Sequence, residues 1–440
     1  MQGEPAASNR LVHELTGFLG QAGVDGWQVQ RLSQVSEQLY LNFDQVESWR
    51  RVESEIFNVT IHLYLTKDDN TWLGESSFSL NPGDDFATEV AQAKERAVLA
   101  LNPVFPLPGP PQSYQSLDLV DRTLRDQPRQ ALWQVRHELE QVMAANKPVE
   151  LAATEIFCNY REREFINHTG LSGAYATTEL ETHFVLLASV AGVEAESLGV
   201  RRARFGRDLQ IGPVLTRYCR YAMDNVRAVL PPSGTYPVVF GEEALDTIFL
   251  HLCAQAGGEA AFQKWSRLQV GKPVVQNPRR DLLTLTSDPW LVGGLEAQPF
   301  DRQGLALRPI TFIQENIFQQ PLADCRYAAY LGVQPTGTLT NLRVAPGRAT
   351  LAEMLAAEPV LHLLRFSTLE PNPVTGALSG EIRTGYLHRR GRAEPIKGGS
   401  VSGNLEEALR FLTLSREMEQ REAYWGPMGL RLEEMSIAGA

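Results

Sequence analysis

Hydrolysis at a protein-bound metal needs two or three imidazole, thiolate or carboxylate ligands converging on one ion, with a carboxylate beside them to deprotonate water. A helix is the usual carrier of such a set, so each His-Glu dipeptide is a place to look. His13-Glu14 is followed by Gly17 and Phe18, and His137-Glu138 by Gln141 and Val142. Neither has a second histidine four or five residues on, and both read as polar-side residues of amphipathic helices. A third segment runs Asp246-Thr-Ile-Phe-Leu-His251-Leu-Cys-Ala-Gln-Ala256-Gly-Gly. Leu245, Ile248, Phe249 and Leu252 form its apolar stripe, His251 lies beside that stripe, and Cys253 projects to another face. Two residues apart, His251 and Cys253 cannot share an ion on a regular helix. His251 alone reads as a hydrogen-bonded core or groove residue. The sequence leaves Ser-His-Asp and Cys-His triads open, although no G-x-S-x-G elbow or P-loop supports one.

The elements that must position these residues are legible in part. A chain of 440 residues exceeds one ordinary core and predicts two or three folding units. Its 43% apolar and 21% charged residues are globular usage. Helical spacing of Leu11, Val12, Leu15, Phe18 and Leu19 predicts a helix over 10–19, stopped by Gly20 and Gly23. Strands follow over 26–32, 37–43, 55–65 and 71–80, and a helix over 85–101, before the proline-rich 103–111 ends the first α/β unit, 1–112. The second unit, 113–232, has a helix over 116–145, strands over 149–159, 164–168 and 176–191, and a helix over 212–229 ending at Pro231-Pro232-Ser233-Gly234. The third, 233–440, opens with a strand over 236–240 and a helix over 242–265, then short strands between Gly, Pro, Asn and Asp. The fold class expected is α+β: two α/β subdomains followed by a strand-rich, barrel-like antiparallel domain with one prominent helix.

The net charge of −11 repels phosphate backbones and anionic lipid, which argues against nucleic acid as a partner. Two basic clusters, Arg201, Arg202, Arg204 and Arg207, and Arg389, Arg390 and Arg392, read as solvated loops or strand edges. Cys158, Cys219, Cys253 and Cys325 show no C-x-x-C pairing, so buried thiols in a reducing, cytoplasmic compartment are expected. The first ten residues lack an apolar signal region, and the run 184–193 is about half of a bilayer span. The reading is of a protein neither exported nor membrane-spanning.

Several third-unit segments carry a family resemblance. Tyr236-Pro-Val-Val-Phe-Gly, the helix with His251-Leu-Cys-Ala-Gln-Ala-Gly-Gly, Asp288-Pro-Trp, and Pro299-Phe300-Asp301-Arg-Gln-Gly304 resemble the TldD/PmbA proteins, named modulators of DNA gyrase. So do Ala329-Tyr-Leu-Gly332 with Pro335-Thr336-Gly337, Gly398-Gly-Ser-Val-Ser-Gly403-Asn404 and Met435-Ser-Ile-Ala-Gly439, in order over about 200 residues. The resemblance implies that catalytic TldD-type members carry H-E-x-x-x-H on this helix, with both histidines on zinc and the glutamate activating water. Here His251 matches the first histidine, Leu252 stands at the glutamate and Ala256 at the second histidine; Gln255 offers no better ligand. That departure resembles the TldE/PmbA-type branch.

The resemblance thus implies no catalytic or metal-ligating residue and no cofactor in this chain. Zinc is expected in a TldD-type catalytic paralogue, with which it would enclose a cavity for unfolded or precursor peptides, held as an added strand. His251, Leu252 and Ala256 are a motif remnant that would line this cavity. Whether the partner is a paralogue or a second copy, giving a homodimer, stays open. Two alternatives stand beside this reading: a stand-alone divergent hydrolase using His251, and a non-enzymatic adaptor or modulator.

Overall fold

The structure, a computed structural model, describes residues 7–440, with side chains from residue 11 onward; residues 1–6, part of the segment read above for an export signal, lie outside the described residues. In the N-terminal half, α1 (Ala7–Leu19) leads into β1 (Gly26–Asn42), β2 (Gln45–Lys67) and β3 (Asn70–Leu80), followed by α2 (Phe86–Ala97) and β4 (Leu101–Pro103). Then come α3 (Arg122–Asp126), α4 (Pro128–Ala145), β5 (Val149–Asn167), β6 (Ser172–Val190), β7 (Val193–Ala203), α5 (Gly206–Leu209) and α6 (Ile211–Val226). All seven strands form one antiparallel sheet, ordered β4-β3-β2-β1-β5-β6-β7.

The prolines at 103–111 therefore do not separate two sheets. β1 pairs with β2 on one side and, from Gln28↔Asn167 to Asn42↔Ala153, with β5 on the other, so position 112 falls within the span of one sheet. β1 also runs unbroken where the sequence suggests two strands, because Ser33 to Ser36 are paired on both sides. β2 begins ten residues earlier than expected; its residues 45–54 are exposed, so no alternation of buried and exposed positions marks them.

One face of this sheet carries alternate β1 residues Val29, Leu39 and Leu41. α1 and α2 cover one half through Leu15, Leu19, Val90 and Ala93, and α4 and α6 the other through Leu132, Leu139, Leu215 and Ala222. The opposite face presents Gln28, Gln30, Gln34, Gln38 and Tyr40, since successive side chains alternate across a strand.

The C-terminal part runs β8 (Gly234–Gly241), α7 (Glu243–Gln255), α8 (Gly258–Phe262), β9 (Leu285–Asp288), β10 (Ile310–Gln314), β11 (Ile317–Phe318), α9 (Cys325–Leu331), β12 (Asn341–Val344) and α10 (Leu351–Ala356). It continues through β13 (Val360–Pro371), β14 (Ala377–Arg389), β15 (Arg392–Ile396), β16 (Ser400–Asn404), α11 (Leu405–Ala408), β17 (Thr413–Leu414), β18 (Met418–Arg421), β19 (Tyr424–Pro427) and β20 (Gly429–Ala438). Strands β13-β8-β20-β16-β14 close into a five-stranded barrel through the β13–β14 pairing, bearing out the barrel-like α+β expectation. Two pairings, β8–β13 and β12–β19, are parallel. A second sheet, β11-β10-β9-β12-β19-β18, packs into the same core.

The helix expected over 242–265 ends at Gln255. Gly257 leaves helical geometry to bridge Leu322, and a Cβ on Gly258 would come within 2.7 Å of that of Ala323, so only glycine permits this approach. Among the described residues no helix is long and apolar enough to cross a membrane.

Candidate functional site

α7 is the one long helix of the C-terminal part, and the core holds it on most of its circumference. Leu245, Ile248, Phe249 and Leu252 pack with Phe240 of β8, Phe312 of β10 and Leu363 of β13. Gln255 fixes its last turn: its Oε1 accepts the Arg267 amide at 2.9 Å, and its Nε2 donates to the carbonyl of Pro373. Arg267 in turn pairs with Glu406 at the start of α11.

His251 lies on this helix 6% exposed, and its Nδ1 is buried without a hydrogen-bond partner among the described residues. Burial, reinforced by Arg267 and opposed by Glu406, holds its pKa below the ordinary imidazole value, so the ring is neutral at physiological pH. Among the described residues no carboxylate hydrogen-bonds its Nδ1, the contact by which the acid of a Ser-His-Asp triad orients its imidazole. Burial pushes the Cys253 thiol up to about 12, which leaves it protonated and unreactive. The other three cysteines are likewise free and buried.

Leu252 and Ala256 are 5% and 0% exposed, both within the apolar core. Ala256 is pinned there: its amide donates to the Leu252 carbonyl at 3.0 Å and its carbonyl accepts from Leu322 at 2.8 Å. The three motif positions thus offer one imidazole and two hydrocarbon side chains. Among the described residues no three His, Cys, Asp or Glu side chains are grouped to hold a metal ion, and the donor set does not fit a resident zinc.

The outer face of α7 opens on a cleft. Leu250, half exposed, and Ala254 join Trp265, Tyr327, Leu339 and Val374 around a cavity of about 660 Å³. Through Arg302, Asp324, Thr338 and Leu339 this cavity adjoins a smaller pocket of about 250 Å³, which reaches Gln30, Leu32 and Arg163 on the glutamine face of the sheet. A third, polar cavity of about 480 Å³ continues past Arg302 to Gln28, His62 and Glu75. The cleft therefore runs between the polar face of the N-terminal sheet and the loops of the C-terminal part. It is closed at points by contacts such as that of Gln30 Nε2 with the Arg302 carbonyl.

Sequence reasoning named Asp301 only within a family segment and missed Arg302 and Asp324 as cleft residues. The available signals were local: Asp301 precedes Gln303 and Gly304 in a side-chain turn, and Asp324 caps α9 by accepting the Tyr327 amide at 3.0 Å. The basic clusters are also placed. Arg202 pairs with Glu179, Arg389 with Glu394, and Arg204, 3% exposed rather than solvated, donates to the carbonyls of Gly294 and Leu295.

Comparison with known proteins follows the same division of the chain. Residues 233–439 match the family model of the PmbA/TldA metallopeptidase C-terminal domain. A metalloprotease TldD homolog of Haemophilus influenzae is 22% identical over 250 residues, 50% of this chain and 52% of that protein. A metalloprotease PmbA homolog of Buchnera aphidicola is 31% identical over 190 residues, 42% of each. The chain thus spans about half the length of these relatives. TldE from Thermococcus kodakarensis superposes with a TM-score of 0.80 at 17% identity, covering 99% of this chain and 100% of that one. A putative modulator of DNA gyrase from Bacteroides thetaiotaomicron gives 0.83 at 18%, with the same coverage. At such identities the solved structures show a shared fold, while the family match is carried by residues 233–439: this part of the chain belongs with the C-terminal domain of the TldD/PmbA family.

Proposed function

We propose that this chain is a non-catalytic, TldE/PmbA-type subunit, which assembles with a TldD-type zinc metallopeptidase to degrade unfolded peptides or process precursor peptides. The observation that carries this reading is the state of α7. Its first motif position keeps an imidazole, while Leu252 and Ala256 are built into the apolar core, where neither can bind a metal or activate water. The cleft supports the second half of the proposal. Its floor of glutamine side chains and its apolar wall beside Leu250 suit an extended peptide whose main chain supplies most of the contacts. Four free buried thiols agree with a reducing, cytoplasmic setting, and the net charge of −11 disfavours nucleic acid.

The test is co-expression with an H-E-x-x-x-H paralogue, followed by sizing and cleavage of an unfolded peptide. The pair is expected to elute together, to hold zinc in the paralogue alone and to cleave, while this chain by itself does neither. Stoichiometric zinc in the isolated chain, with peptide turnover that His251→Ala abolishes, would overturn the reading in favour of an independent hydrolase.

A further inference from the structure

The pocket of about 250 Å³ beside the α7 cavity contains a carboxylate with one oxygen that no hydrogen-bond donor among the described residues meets. Asp301 lies at its wall, 7% exposed. Oδ1 accepts the amides of Gln303 at 2.8 Å and Leu305 at 3.0 Å, which fixes the orientation of the group. Oδ2 is left buried without a hydrogen-bond partner among the described residues. A buried, unpaired carboxylate oxygen is costly and is uncommon in a native structure unless something absent completes it.

The surrounding charges do not complete it. Arg302 directs its guanidinium to Asp324 at 3.4 Å, and Glu164 is held by Arg31 at 3.0 Å. Arg163 and Glu296 lie exposed at the rim. The lining therefore holds Glu164, Glu296, Asp301 and Asp324 against Arg163 and Arg302, an excess of negative charge. The remaining wall is aromatic: Phe300 and Tyr175 meet edge to face at 5.2 Å, and Phe165 lies 6.3 Å from Phe300. Such rings pack against an alkyl stem and favour a cation over their faces.

We propose that Asp301 anchors a subsite for a cationic nitrogen, an ammonium or guanidinium group carried by the peptide that occupies the cleft. This rests on the peptide-binding reading above and adds to it a preference for charge. The cation comes either from the peptide's free α-amino terminus or from a lysine or arginine side chain; both present the same donors to Oδ2. Burial raises the Asp301 carboxyl to about 6, against the pull of its two amide donors, so the group is largely ionised at neutral pH and available to such a ligand.

Calorimetry on the full chain at pH 7.5 tests this with three tetrapeptide amides: acetyl-Ala-Leu-Ala-Leu, the same peptide with a free amino terminus, and acetyl-Ala-Lys-Ala-Leu. At least one cationic peptide is expected to bind about tenfold more tightly than the uncharged one. Which one does so identifies the source of the cation. Asp301→Asn should remove that gain and leave the uncharged peptide unaffected. Equal affinities, or a gain that survives Asp301→Asn, overturn the subsite and leave the peptide cleft standing. Should the variant fold poorly, n-butylammonium chloride should displace the cationic peptide from the unaltered chain where butanol does not; displacement by neither overturns the subsite. Binding of n-butylammonium without any peptide binding supports the cation site while removing the peptide reading, and binding of no probe overturns both.

Discussion

Tyr221 of α6 donates its phenolic hydrogen to Oε1 of Glu242 across 2.6 Å, and Arg217 of the same helix brings its Nε within 3.2 Å of that oxygen. Glu242 holds φ 52° and ψ −133°, a backbone region that glycine favours. The N-terminal part of the chain thereby grips the residue from which the motif helix starts. The strain at Glu242 is sustained by its side-chain partners rather than by its own preference.

Removing that grip should be felt. Tyr221→Phe leaves a buried carboxylate with Arg217 alone and is expected to cost about 1.5–3 kcal/mol. Thermal unfolding followed by circular dichroism should show a lower midpoint. An unchanged midpoint would show that α6 does not hold the start of α7.

A second contact between the two parts gives a prediction in pH. Glu75 of β3 accepts from Arg326 of α9 and lies 3.1 Å from His62 Nε2. Burial pushes its carboxyl up, but the hydrogen bonds from His62 and Arg326 outweigh this and bring it down to about 2. A carboxyl depressed on folding contributes stability that is fully present above its unfolded value of about 4.5 and is lost as pH falls toward 2. The contribution is roughly 3 kcal/mol. Arg326→Ala should shift acid unfolding to higher pH, as read in a circular dichroism titration from pH 6 to 2.

Asp301 predicts the opposite slope. Its carboxyl is raised to about 6 in the folded chain, so the folded state binds the extra proton between about pH 4 and 6 and loses stability as pH rises through that window. Asp301→Asn keeps the acceptor for Gln303 and Leu305 and removes the charge. It is expected to stabilise the free chain by about 1–2 kcal/mol above pH 6, with no gain near pH 4. Urea unfolding at pH 4 and pH 8 compares the two. A variant less stable at pH 8 would mean that the charge has a partner in the free chain after all.

Restoring the motif letters should not restore the chemistry. Leu252→Glu buries a carboxylate among core side chains, and Ala256→His forces an imidazole into a position with no exposed surface. The double variant is expected to lose more than about 3 kcal/mol and to retain less than one zinc per chain by elemental analysis. A stable variant holding stoichiometric zinc would show that the core can open around α7.

Much of this architecture could be read from residue patterns, for reasons that differ by element. The helix over 10–19 was legible because its apolar residues keep helical spacing and stop at Gly20, and the strand over 236–240 because a short β-branched and aromatic run ends at Gly241. The continuity of β1 was not, since Ser33 to Ser36 owe their extended form to neighbours far away in sequence. At the site, the residue types at 251, 252 and 256 already state what chemistry is missing. The cleft was illegible because Asp301, Arg302 and Gln30 meet only through tertiary packing, and no spacing rule links residue 30 to residue 302.

Because β1 lies between β2 and β5, the polypeptide on either side of the proline-rich stretch is interleaved rather than sequential. A protease that cut within residues 109–116 would sever the backbone but not the ladder, and the two fragments should travel together on a sizing column until denaturant is added. The same arrangement means that truncation at this point would yield not a smaller working piece but a sheet with an exposed raw edge, prone to self-association.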